Sequence, residues 1–190
     1  MTPIKTLLPA TALSVLTSMA FAGNEFTEPL SSVANETIAS WVVDPAIVAA
    51  VQAQNTVTSE YSQDRILELD TTWRAETVSG GALIESVLGN ALSAHLKQLK
   101  SEGHGQFTEI FVTDSRGLNV GQSDVTSDYW QGDEAKWQVP TETMSAHIGD
   151  IEFDESTQTY QSQVSLPIMS DGAVIGVITV GVDVQRIASN

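Results

Sequence analysis

Tyr160–Asp183 reads YQSQVSLPIMSDGAVIGVITVGVD, and this stretch decides the fold. Two runs of β-forming residues, Tyr160–Met169 and Ala173–Val182, flank Ser170-Asp171-Gly172, a short turn signal, so the stretch is predicted to be a β-hairpin. In the second run Val174, Gly176, Ile178, Val180 and Val182 share one face, which is apolar or small throughout. The opposite face carries Ile175, Val177, Thr179, Gly181 and Asp183, and becomes smaller and more polar toward its end. The first face is expected to pack under helices, while the second leaves room and an acceptor group. Asp183 reads either as the cap of the next turn or as a carboxylate at the rim of a pocket.

Working outward, Phe107–Thr113, Leu118–Gln122 and Ala146–Phe153 supply three further strands, with Asp114-Ser115-Arg116-Gly117 as a turn. Ser123–Pro140 is polar and aromatic and is expected to be an irregular loop. Upstream of the strands the period is helical. Glu36 to about Ala75 forms one long helical run with a step at Asp44-Pro45, where aspartate suits an N-cap and proline the first helical position. A second helix is predicted from Gly81 to Ser101, with Ile84, Leu88, Leu92 and Leu96 on one stripe and Lys97 and Lys100 near its end. Helices followed by strands predict an α+β fold: a long N-terminal helix and a second helix packed on one face of a five-stranded antiparallel sheet.

The chain has 190 residues, the size of one domain, and 8 Lys+Arg against 24 Asp+Glu give a formal charge of -16. So acidic a chain repels nucleic acid and anionic membrane surfaces. It contains no cysteine, which excludes disulfides, thiolate metal sites, a cysteine nucleophile and a lipid attached through an N-terminal cysteine. Met1–Ala22 combines Lys5, an apolar run from Leu7 to Phe21 and the small-residue sequence Ala20-Phe21-Ala22, the pattern of a bacterial secretory signal peptide cleaved after Ala22. Residues 23–35 read as a flexible lead-in and residues 36–190 as one domain. No later stretch is long and apolar enough to span a bilayer. A periplasmic or secreted protein is expected.

Tyr129, Trp130 and Trp137 crowd into nine residues of a chain that is only 6% aromatic. Rigid aromatic surface beside polar atoms is what a small-ligand pocket needs, and core packing is the alternative for each ring. Lys136 is the only cation between Asp124 and Glu155, among nine acids, and could bond a carboxylate. No metal site is expected, because His95, His104 and His147 lack ligand spacing and no EF-hand pattern occurs. No nucleophile elbow, phosphate loop or dinucleotide fingerprint is present, so no enzyme and no cofactor are expected.

Phe111–Gly117, Ser127–Trp137, Ser165-Leu166-Pro167-Ile168 and Ile175-Gly176-Val177 before Val182-Asp183 resemble, in order and spacing, the Cache (PDC, PAS-like) domain. The resemblance spans about Ser40 to Ile187. It implies the single-module form of this extracytoplasmic ligand sensor, a PAS-like sheet, and a small amino acid, amine or carboxylate held between the sheet and a covering loop. It also implies that Trp137 matches the pocket aromatic, that Asp183 faces a ligand ammonium, and that Tyr160 is a further contact. Lys136 stands as the sole loop cation where many relatives carry an arginine. The implied partners are a membrane-bound sensor kinase or chemoreceptor, and a second copy through the N-terminal helix. The alternative reading is a structural or dimerisation protein that kept the fold without a working pocket.

Overall fold

The long apolar face of the hairpin needs a covering layer, and four helical segments supply it. The computed structural model describes residues 25–155 and 157–188; the expected leader, Met1–Ala22, lies outside them. Helices α1 (Thr27–Ser32), a π-helical stretch (Val33–Ile38) and α2 (Ala39–Trp41) run on as one piece. α3 (Pro45–Thr58), α4 (Gln63–Ser79), α5 (Ala82–Leu88) and α6 (Ala91–Glu102) follow. Next come β1 (Phe107–Asp114), β2 (Asn119–Gln122), α7 (Ala135–Thr143), β3 (His147–Ile148), β4 (Glu152–Asp154), β5 (Thr159–Ser170), β6 (Ala173–Asp183) and α8 (Val184–Ile187). The fold is α+β. Its antiparallel sheet has six strands in the order β2-β1-β6-β5-β3, with β4 also paired to β5.

Pairing fixes the faces. Ile178 lies between Val112 and Leu166, and Val180 between Ile110 and Val164. These residues, with Val182 and Ile168, form the main core against Leu30, Ile38, Ile47, Val51 and Leu96 of the helices. The face of β6 expected under the helices is the one found there. Pro167 is tolerated inside β5 because it lies beyond the end of β3, whose pairing stops at Ser165, so its missing N–H costs no ladder bond.

Several elements differ from the sequence expectation. The supposed lead-in is helical from Thr27 and buries Phe26, Leu30, Val33 and Ala34, an apolar stripe at helical spacing. Pro29 does not oppose this, since it sits in the first turn, where no intrahelical N–H bond is lost. The long N-terminal helix is cut into segments. Asp44 accepts from Ala46 N at 2.8 Å and starts α3, while Ser62 accepts from Arg65 N at 3.2 Å and starts α4. The second helix also breaks, where Gly89 ends α5 and Asn90 caps α6 through Ser93 N at 2.8 Å. The break turns one stripe toward two cores: Leu92 and Leu96 join the main one, and Ile84 a smaller one with Ile66, Val87, Leu118, Trp73 and Tyr129. The third predicted strand is two short ones, β3 and β4, and the supposed irregular loop contains α7.

Candidate functional site

The face of the sheet turned away from the main core is built of polar rows. Glu109 on β1, Gly181 on β6 and Gln163 on β5 form one cross-strand row; Phe111, Thr179 and Ser165 form the next. Ser165 Oγ and Thr179 Oγ1 are 2.9 Å apart, bonded to each other and fully buried. Gly181 has no side chain between its neighbours, which lets Gln163 Nε2 donate to Glu109 Oε1 at 2.8 Å across the gap. Gln161 continues this edge: it accepts from the Thr108 hydroxyl and donates to Asp154 Oδ2 at 2.8 Å.

Helix α7 lies over β5 and β6 and carries Lys136 onto this surface. The ammonium stands 5.5 Å from the centre of the Phe111 ring and 3.0 Å from Glu134 Oε2. Beside it opens a cavity of about 500 Å³, floored by Gln161 and Gln163 and walled by Glu134, Ala135, Lys136, His147, Ile148, Gly149, Asp150 and Glu152. Of the charged side chains lining it, three are acids and one is a lysine already paired with an acid. Burial raises the Glu109 carboxyl above its ordinary range, against the opposing Gln163 hydrogen bond and Lys136 charge; Asp154 and Asp124 push it further up. The cavity thus offers carboxylate charge, two side-chain amides and one partly neutralised ammonium. That donor and acceptor set suits a small molecule bearing an ammonium group. Among the described residues no group of histidines and acids is arranged to hold a metal ion.

The six residues expected at one site occupy five places. Lys136 alone lines this cavity. Tyr129 is 6% exposed, stacked 5.4 Å from Trp73 in the smaller core, and burial raises its phenol, helped by Asp114 and Tyr61. Trp130 and Trp137 line a separate cleft with Arg116. Tyr160 is on the surface against Phe153, with ring centres 5.2 Å apart. Asp183 caps α8, accepting from Gln185 N at 2.9 Å and Arg186 N at 3.2 Å, and lines a groove with Glu102, His104 and Arg186. Asp70 holds the loop down onto α4 by accepting from the backbone N–H groups of Tyr129 (2.9 Å) and Trp130 (3.1 Å), while Arg74 clamps both Asp70 and Asp128.

Gln161 and Gln163, which floor the cavity, and Glu109, which reaches it only through Gln163, are not among the residues expected from the sequence. The available signal was alternation: Glu109 interrupts a β-forming strand on the face of Phe111 and Thr113, and Gln161, Gln163 and Ser165 alternate with Val164, Leu166 and Ile168.

No family model and no curated protein matches the chain. Solved structures do. The sensor domain of the V. cholerae histidine kinase DctB is 14% identical with a TM-score of 0.46, over 87% of this chain and 57% of that one. The sensory domain of the Campylobacter jejuni chemoreceptor Tlp3 (CcmL) is 12% identical with a TM-score of 0.43, over 86% of this chain and 68% of that one. The ligand-binding domain of the same receptor in complex with L-valine is 13% identical with a TM-score of 0.39, over 86% and 68%. The chain is similar to sensor domains. It spans little more than half of the DctB domain's length. No helix of the described residues is long and apolar enough to cross a membrane.

Proposed function

We propose that this chain is an exported, non-enzymatic sensor module that captures a small cationic or zwitterionic organic molecule beside Lys136 and presents the bound form to a membrane partner of the sensor-kinase or chemoreceptor kind. One observation carries the reading. A cavity of about 500 Å³, within the size range of small-molecule sites, lies on the polar face of the sheet with carboxylates, two glutamine amides and one lysine converging on it. The ammonium of an amino acid or amine fits the side of Glu152, Asp150 and Gln163, whose amide is held by Glu109. A ligand carboxylate, where present, fits Lys136, which would exchange Glu134 for it. Export rests on the leader-like residues 1–22.

The test is thermal unfolding of the protein against amino acids, mono- and diamines, and simple carboxylates. A true ligand at 100 times its dissociation constant adds about 2.7 kcal/mol of stability. Amines or amino acids should raise the midpoint, and monocarboxylates should not do so through this cavity. No shift across the panel would remove the binding function and favour the structural alternative.

A further inference from the structure

The turn at Ser115–Gly117, the start of α4 and the loop at Trp130–Gly132 enclose a second cleft, of about 290 Å³, on a different part of the surface. Its walls are fixed. Trp130 Nε1 donates to the backbone carbonyl of Arg116 at 2.9 Å and Trp137 Nε1 to that of Asp114 at 3.2 Å, so both indoles are pinned by their polar edges and leave ring surface to the cleft. The loop and turn are locked together where Gln131 N donates to Gly117 O at 2.7 Å. A Cβ on Gly117 would lie 2.6 Å from Gly132 N, so this approach needs glycine.

Arg116 is what makes the cleft more than an apolar dent. Among the described lysines and arginines, Arg65, Arg74, Lys100, Lys136 and Arg186 each pair with a carboxylate. Lys97 and Arg116 pair with none and donate only to backbone carbonyls, of Leu88 (3.0 Å) and Tyr61 (3.1 Å). Lys97 is exposed to solvent, whereas Arg116 is half-buried in the cleft wall. In a chain with 24 acids against 8 cations, a half-buried guanidinium without a counter-charge is out of pattern. Asp114, the nearest acid in sequence, is fully buried and turned to Gln54, Thr58 and the backbone N–H groups of Arg116 and Leu118. A guanidinium that gives one N–H to a backbone carbonyl and has no counter-charge keeps donors for a carboxylate, and indole faces recognise a flat apolar body.

We propose that this cleft is a second ligand site, for a small aromatic carboxylate, with Arg116 as its charge partner and Trp130 and Trp137 as its walls. It is independent of the cavity beside Lys136 and has the opposite charge preference.

The experiment titrates the full chain with benzoate, phenylacetate and indole-3-acetate, with benzamide and inorganic phosphate as comparators, followed by tryptophan fluorescence and calorimetry. Saturable binding of at least one aromatic carboxylate is expected, with benzamide weaker by about tenfold or more through loss of the charge-assisted bond. Arg116→Gln should lower affinity by a similar factor, and Arg116→Lys by less, because it keeps charge but not the planar fork. Arg186→Gln, at an arginine far from the cleft, should change nothing. If Arg116→Gln does not fold, Arg116→Lys with native circular dichroism carries the test. Equal binding of benzoate and benzamide, binding of phosphate but not of any aromatic carboxylate, non-saturable quenching, or full affinity in a folded Arg116 variant would each overturn the proposal.

Discussion

Replacing Gly181 by alanine tests the polar row that floors the site. An added Cβ would lie 2.8 Å from Gln161 Oε1 and 2.9 Å from Glu109 Cγ, and closer still to the Thr108 hydroxyl. Carbon contacts are optimal at roughly 3.5–4.0 Å, so all three atoms must move. They are all side-chain atoms, and rotating them breaks the Thr108–Gln161 and Gln163–Glu109 hydrogen bonds. Overpacking costs about 1–3 kcal/mol and a lost hydrogen bond about 1 kcal/mol, so Gly181→Ala should destabilise the fold by about 2–3 kcal/mol. Urea unfolding reads this as a lower midpoint at unchanged slope. Amine affinity, measured on the still-folded variant, should fall in parallel. Gly176→Ala is the comparison: its Cβ meets the backbone carbonyl of Thr113 on β1 and Val51 Cγ1 at 2.9 Å, away from the cavity lining, and should cost stability without touching affinity. Stability within about 0.5 kcal/mol of wild type with unchanged affinity, the range of an unremarkable surface substitution, would refute the close-packed floor.

Other outcomes follow from single contacts. Asp114→Ala strips four hydrogen-bond donors of one buried carboxylate and should cost at least about 3 kcal/mol by denaturant titration; a cost under about 1 kcal/mol would mean that the turn repacks. Asp183→Ala should cost about 1 kcal/mol through loss of the α8 cap and leave amine affinity intact, because its carboxylate is committed to Gln185 and Arg186. Glu109, whose carboxyl is held above its ordinary range by burial, contributes stability below the unfolded value of about 4.3, and this contribution is lost as pH rises through its folded value. Glu109→Gln should flatten the stability profile, and a wild-type stability that ignores pH over this interval would count against the buried Glu109 carboxyl.

The strands were legible because burial on one face writes a period of two into β1, β5 and β6, and the face of β6 that meets the helices could be named from Ile178, Val180 and Val182 alone. The helix breaks were harder to place, since Gly89-Asn90 leaves the Ile84–Leu96 stripe unbroken in sequence while redirecting it in space. The lead-in is harder to read as helix because Pro29 and the polar residues around it mask the stripe Phe26, Leu30, Val33 and Ala34. The site was the least legible part. Tyr129, Trp130, Lys136 and Trp137 are neighbours in sequence, yet Asp70 and Arg74, more than fifty residues away, set the loop so that Tyr129 goes inward and the tryptophans line another cleft. Asp183 carries both roles open to it in the sequence, capping α8 and lining the groove with Glu102, His104 and Arg186, because α8 follows it directly.

The most direct test of the binding claim is amide chemical-shift mapping by NMR, with a stabilising amine or amino acid from the panel added to the labelled protein. The largest changes are expected on residues 134–136, 147–152 and 161–163, together with the side-chain amides of Gln161 and Gln163, and they should saturate. Changes confined to Asp183–Arg186 or to the tryptophan cleft, or no change at ligand concentrations that stabilise the fold, would contradict the binding claim.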